Sequence, residues 1–191
     1  MKVLILDGST SHDQFAKDIS SFASSHLIEG GGEVESLKLE LIDIKGCMGC
    51  FGCWIKTPGI CVIDDAGREV AAKMVGRDLL IYITPVVFGG YSYHLKKVMD
   101  RLIPNISPLF VKVNGEIHHK KRYDRCPRLI AIGVLDSPDE EKEKIFRRLV
   151  VRNAINMHAP SFSVEVISRT EGENSIRGRI GSAIESIGVI A

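Results

Sequence analysis

The sequence predicts an α/β domain, a three-layer sandwich whose five-stranded parallel sheet runs in the order 2-1-3-4-5 with helices on both faces. Three observations lead there. Residues 3–6 (VLIL), 79–83 (LLIYI) and 129–135 (LIAIGVL) are continuous apolar runs, as strands covered on both faces are. Residues 37–41 (LKLEL) and 162–166 (FSVEV) alternate instead, as strands with one face in water do. Between these runs, apolar residues recur at helical spacing. The order 2-1-3-4-5 puts the two alternating strands at the sheet edges. A dinucleotide-binding sheet of the other common order would need G-x-G-x-x-G after the first strand, and "LILDGSTSHDQ" lacks it.

The elements follow in order. The first strand leads into a helix striped by Phe15, Ile19, Phe22 and Ala23, and Gly30-Gly31-Gly32 stops it. After the second strand comes a cysteine-rich loop, 46–61, and then a weaker helix over 66–75. The third strand is followed by a helix carrying Leu95, Val98, Met99 and Leu102. A long connection, 104–127, precedes the fourth strand and exceeds the usual α/β linker. The next stripe is Ile145, Phe146, Leu149 and Val150, and the last is Ile176, Ile180, Ala183, Ile184 and Ile187. The whole chain, 1–191, reads as one domain.

Composition narrows the function. Lys and Arg number 25 against 24 Asp and Glu, a balance that excludes a strongly basic nucleic-acid or anionic-membrane binder. "HHKKRYDR" is too short and too mixed to alter that. No signal-peptide pattern precedes the first strand, and the longest apolar run is too short to cross a bilayer. The expected setting is cytoplasmic, with reduced thiols, which moves disulfides behind metal or redox chemistry for the cysteines.

In a sheet of this order, ligands bind beyond the carboxyl ends of the strands, between the first and third. The loop after the first strand, Asp7 to Gln14, offers Ser9, Thr10, Ser11, a glycine and a helix N-terminus, with no Lys or Arg. Such neutral donors suit a phosphate monoester, and they equally suit helix capping. The loop after the third strand, "TPVVFGGYSY", sets a rigid proline and paired glycines among three aromatics. That chemistry suits the face and edge of a flat heterocycle. Asp136-Ser137-Pro138, after the fourth strand, is a third candidate. The histidines His12, His94, His118 and His119 are scattered and suggest no acid–base pair.

"CMGCFGCWIKTPGICVIDD" followed by "ITPVVFGGYSYHLKKVMDR" resembles the NADPH-dependent FMN reductase and iron–sulfur flavoprotein group of flavodoxin-like proteins. The likeness covers roughly the first hundred residues. It implies a flavodoxin-like fold, FMN as cofactor and NAD(P)H as substrate. It also implies electron delivery to a flavin, quinone or other small-molecule or protein acceptor, and a homodimer or homotetramer. Ser9 corresponds to the phosphate-loop serine, with Thr10, Ser11 and Gln14 as further phosphate contacts. Pro85, Val86, Val87, Phe88 and Gly89 correspond to the segment along the flavin ring. Leu95, Lys96, Asp100 and Arg101 fall on the following helix in a structural role. The Pro-Arg and Gly-Asn-Thr that usually follow the loop serine are absent. The usual tyrosine before Phe88 is Val87, with Tyr91 as its substitute. Cys47, Cys50, Cys53 and Cys61, spaced C-x2-C-x2-C-x7-C, approach the compact spacing with which the group holds a 4Fe-4S cluster. Zinc, or a plain packed loop stiffened by Phe51 and Trp54, stays open beside it. The long connection 104–127 is expected to cover the flavin or a neighbouring subunit's flavin, and Cys126 to be a buried structural thiol. The rival functions are a flavodoxin-like electron carrier without turnover and a zinc-stabilised interaction module.

Overall fold

The structure, a computed structural model, describes residues 1–113 and 115–188. Its centre is a parallel sheet of five strands: β1 (Lys2–Asp7), β2 (Glu33–Lys38), β3 (Leu79–Pro85), β6 (Arg128–Leu135) and β7 (Phe162–Ser168), in the order β2-β1-β3-β6-β7. The numbering runs past the expected 2-1-3-4-5 because 104–127 is not a bare connection. It forms an antiparallel hairpin of β4 (Ile106–Val113) and β5 (Glu116–Lys121). The parallel strands number five, and the two alternating ones are the edges.

Side-chain alternation divides the interior in two. Leu4, Leu6, Leu80 and Tyr82 face α3 (Ala66–Met74), α4 (Tyr93–Asp100) and α5 (Glu140–Asn156). Val3, Ile5, Ile81 and Ile83 face α1 (Gln14–Glu29) and α6 (Glu173–Ser186). Each central strand is therefore buried on both faces along residues 3–6, 79–83 and 129–135, which is why it reads as an unbroken apolar run. Gly31 ends α1 with φ +78°, and the Gly32 N–H returns to the Leu27 carbonyl at 2.8 Å. No helix among the described residues is long and apolar enough to cross a membrane.

The second strand differs from its expected span. It occupies 33–38, and Leu39–Leu41 is a 3-10 turn with Leu39 buried. The alternation over 37–41 straddles a strand end and a turn, and of its three leucines only Leu39 is buried, while Leu41 is exposed. The last pair of the β1–β2 register sets Lys38 beside Asp7. The short α2 (Gly52–Ile55) lies inside the cysteine loop.

The hairpin packs on its own chain through a few long-range contacts. His119 donates its N–H to Asn156 Oδ1 at 3.3 Å, and His158 Nε2 lies 2.6 Å from the His119 carbonyl. The Trp54 ring lies 5.0 Å from the His119 ring. These contacts pack the hairpin against the end of α5 and the cysteine loop of its own chain. Cys126 is half-buried, not fully buried, and lines a small apolar cavity with Leu80 and Met157.

Candidate functional site

At the carboxyl end of the sheet, the loop from Asp7 to Asp13 is held by its own acids. Ser9 is fully buried, and its N–H and Oγ both donate to Asp7 Oδ1, at 2.8 and 2.7 Å. Lys38 Nζ reaches Asp7 Oδ2 at 2.8 Å and Ser9 Oγ at 2.6 Å. The hydroxyl of Ser9 is thus saturated inside the protein and supports the loop from below. Thr10 and Gln14 are exposed, and Gln14 Nε2 donates to Asp18. Ser11 differs from both: its backbone N–H donates to the carboxylate of Glu40, and bonds from the Ser11 hydroxyl and N–H lower the Glu40 pKa. Asp13 caps α1 through Ala16 N and takes two bonds from Arg169, at 2.8 and 2.5 Å. The Arg169 guanidinium pulls the Asp13 carboxyl below its usual range. Its Nε also meets Asp136 at 3.0 Å, so one arginine after β7 joins the first and third candidate loops.

The loop after β3 turns tightly. Val87 and Gly90 exchange both backbone bonds, at 3.0 and 2.8 Å, with Phe88 and Gly89 at φ +50° and +76° between them. A side chain at Gly89 would strike Ile145 of α5, within 2.9 Å of its Cβ. This close approach presents Val87 and Phe88 to solvent, Phe88 at 94 % exposure. Pro85 ends the strand and Val86 packs on the core. Tyr91 is elsewhere. Its ring lies edge-on between Tyr82 and Phe146, its hydroxyl accepts from Asn153 Nδ2 at 2.9 Å, and burial pushes its pKa up to about 12. It therefore presents no ring surface beside Val87 and Phe88. The turn closes before Tyr91 and directs it inward.

The cysteine loop is anchored at the far end of α4. Arg101, only 2 % exposed, donates to Asp65 Oδ1 and Oδ2 at 2.8 and 2.9 Å and to the carbonyls of Lys45 and Ile63. That pairing holds the Asp65 pKa down to about 2, while Asp65 also caps α3. Trp54 Nε1 donates to the carbonyls of Ile103 and Ile106. Cys47, Cys50, Cys53 and Cys61 all line one cleft of about 320 Å³, closed by Ile63, Met99 and Ile103. Cys47 and Cys50 are exposed and Cys53 is buried. Burial, and then the neighbouring cysteines, raise the Cys53 thiol pKa.

The two implied groups can be tested on this geometry. Ser11 already binds an oxyanion, the Glu40 carboxylate, so the loop is competent for the phosphate of a flavin mononucleotide. Val87 and Phe88, in the turn after the neighbouring strand β3, offer exposed apolar surface at the same end of the sheet. For a cluster, four thiols on one cleft match in kind and number. Yet among the described residues no three His, Cys, Asp or Glu side chains are gathered closely enough to hold a metal ion.

Lys38, Glu40, Arg101 and Arg169 escaped sequence reasoning as site residues. The signal for Lys38 was the β1–β2 register. For Arg169 it was a cation directly after an edge strand, and neither is visible before the sheet is assembled.

The same fold recurs in solved structures. An NAD(P)H:quinone oxidoreductase from Methanothermobacter marburgensis superposes with a TM-score of 0.69 at 16% identity, over 99% of this chain and 98% of that one. An FMN-dependent NADH-azoreductase from Bacillus anthracis, in complex with FMN, gives 0.65 at 11%, over 97% and 96%. At such identities these matches establish the flavodoxin-like fold. Sequence similarity is higher to an iron-sulfur flavoprotein of Methanocaldococcus jannaschii, 36% over 104 residues, or 54% of this chain and 53% of that protein. The iron-sulfur flavoprotein of Methanosarcina thermophila is 30% identical over 103 residues, again 54% and 53%. The matched region thus spans about half the length of these relatives. The phosphate-loop candidate, the cysteine loop and the turn at 85–90 all lie in residues 1–120, the stretch matched by the profile of the NADPH-dependent FMN reductase family, and the chain belongs to that family.

Proposed function

We propose that the protein is an FMN-dependent NAD(P)H oxidoreductase that passes electrons from a nicotinamide to a flavin, quinone or other acceptor. The observation that carries this reading is the oxyanion held on Ser11 in the loop after β1, with the exposed Val87–Phe88 turn following the neighbouring strand β3 at the same end of the sheet. When bound, FMN supplies hydride acceptance from a nicotinamide and release of one or two electrons. The chain supplies position. Ser11 and the N-terminus of α1 hold negative charge, while Val87 and Phe88 exclude water from one face of the ring. Asp13, Arg169 and Asp136 tie the surrounding loops together. Exposed Leu109, Phe110 and Ile117 on the hairpin support an oligomer as part of the same reading.

The purified protein should bind FMN and show flavin absorbance that bleaches when NADH or NADPH is added without oxygen. Flavin bands that neither nucleotide bleaches would leave a carrier instead of an enzyme.

The single cleft shared by all four cysteines favours a second, compatible reading, a 4Fe-4S cluster on Cys47, Cys50, Cys53 and Cys61. Anaerobic reconstitution should then give about four iron and four sulfide per chain, and Cys50→Ser should lower both. Less than about one iron per chain would end this reading.

A further inference from the structure

Glu40, which lies 29 positions away in the chain, sets its carboxylate on the Ser11 N–H of the loop, and no step of the proposed reaction uses it. Resting on the flavin reading above, we propose that Glu40 is an internal stand-in for the ligand's phosphate. It holds the loop in shape when empty, must swing aside to admit a phosphate, and so sets the discrimination between phosphorylated and unphosphorylated flavin.

Three features of the surroundings support this. First, the Ser11 N–H can serve one anion at a time, and it serves the Glu40 carboxylate. Second, the cations nearby are committed. Lys38 Nζ is bound to Asp7 and Ser9, and Arg169 to Asp13 and Asp136. No further positive charge among them offsets a carboxylate and a phosphate side by side, so one must leave. Third, Glu40 is built to move while its backbone stays. Leu39, its neighbour on the turn, is buried at 1 % exposure and Ile44 at 2 %, whereas the Glu40 side chain borders solvent. Lys38 of β2 and His94 of α4 are the side chains outside the loop that act on its carboxylate. His94 Nδ1 is buried with no hydrogen-bond partner among the described residues, which leaves a polar group available once the carboxylate has turned away.

A binding-competent loop that is only fractionally populated weakens apparent affinity by that fraction. The test titrates FMN and riboflavin separately into wild type, Glu40→Gln and Glu40→Ala, following flavin fluorescence, with circular dichroism to verify folding. Gln removes the charge but keeps an acceptor, and Ala removes both, so one variant stands in if the other fails to fold. Both should bind FMN about tenfold more tightly, the factor expected for releasing one charge-assisted hydrogen bond, with riboflavin affinity unchanged. FMN affinity that is unchanged or weaker in the folded variants would overturn the proposal. So would an equal gain for riboflavin, because Glu40 would then act on the ring and not the phosphate. Failure of every form to bind either flavin would instead bring down the flavin reading itself.

Discussion

The two ends of α4 are anchored by opposite means. At its start, Ser92 Oγ donates to the Gly8 carbonyl at 2.6 Å, and Ser92 N–H donates to Thr84 Oγ1 at 2.9 Å. These are neutral, short-range bonds that lock the phosphate-loop candidate to the strand ends beside it. Past its last turn, Arg101 is a fully charged group buried under a segment that has almost no regular structure of its own. Burial of a charge costs more than a neutral bond returns unless its partner is present. The start of the helix is therefore tied to the strand ends by neutral bonds, and its far end carries the cysteine loop on a buried ion pair, with Trp54 as a second tie. Eight helical residues separate them, about 12 Å of helix axis.

The largest effect should come from removing that pair. Arg101→Met leaves Asp65 buried without its cation, and urea denaturation should show a loss of about 3–5 kcal/mol. The thiols of the cysteine loop should react faster with a thiol reagent, while FMN affinity stays where it was. If FMN affinity fell in step with stability, the two ends would be one cooperative unit and the contrast would dissolve.

A smaller effect follows from acid. The folded pKa of Asp65, about 2, lies below the 3.8 of an ordinary aspartate. A depressed carboxylate pKa contributes stability that is fully present above the unfolded value and is lost as pH falls through the folded one. The contribution is about 2 kcal/mol, disappearing between roughly pH 4 and pH 2. Arg101→Met should flatten that part of the stability–pH curve. An unaltered acid limb in the variant would mean that other groups, such as Asp13 beside Arg169, dominate it.

The contrast also explains what the sequence could reveal. The three central strands were legible because burial on both faces leaves an apolar run, and the loops at their carboxyl ends followed from topology. The hairpin was not, since "EIHHKK" carries no strand-like apolar face, and its support comes from Trp54, Asn156 and His158, far away in the chain. The reach of β2 was misread because Leu39 stays buried after the strand has ended. Of the candidate site, the four cysteines share a cleft and Ser11 carries an oxyanion. The groups that govern both, Arg101 and Glu40, depend on contacts across 36 and 29 positions, a separation that no local pattern encodes.

Tyr91 gives the smallest and sharpest test, because sequence placed it at the flavin and the structure places it in the core. Tyr91→Phe keeps the ring between Tyr82 and Phe146 and removes only the acceptor of Asn153 Nδ2. Asn153 is half-buried and borders a cleft, so water can replace the lost hydroxyl. The expected cost is about 0.5–1.5 kcal/mol in urea denaturation, with the absorbance maxima of bound flavin and the FMN affinity unchanged. A core tyrosine can affect the flavin only through the position of the 85–90 turn, and loss of one hydroxyl that points at α5 leaves that turn's own backbone bonds intact. A shifted flavin spectrum in Tyr91→Phe would therefore put the phenol in contact with the ring. The turn would then have to open when FMN binds, and the flavin end would no longer be the rigid one.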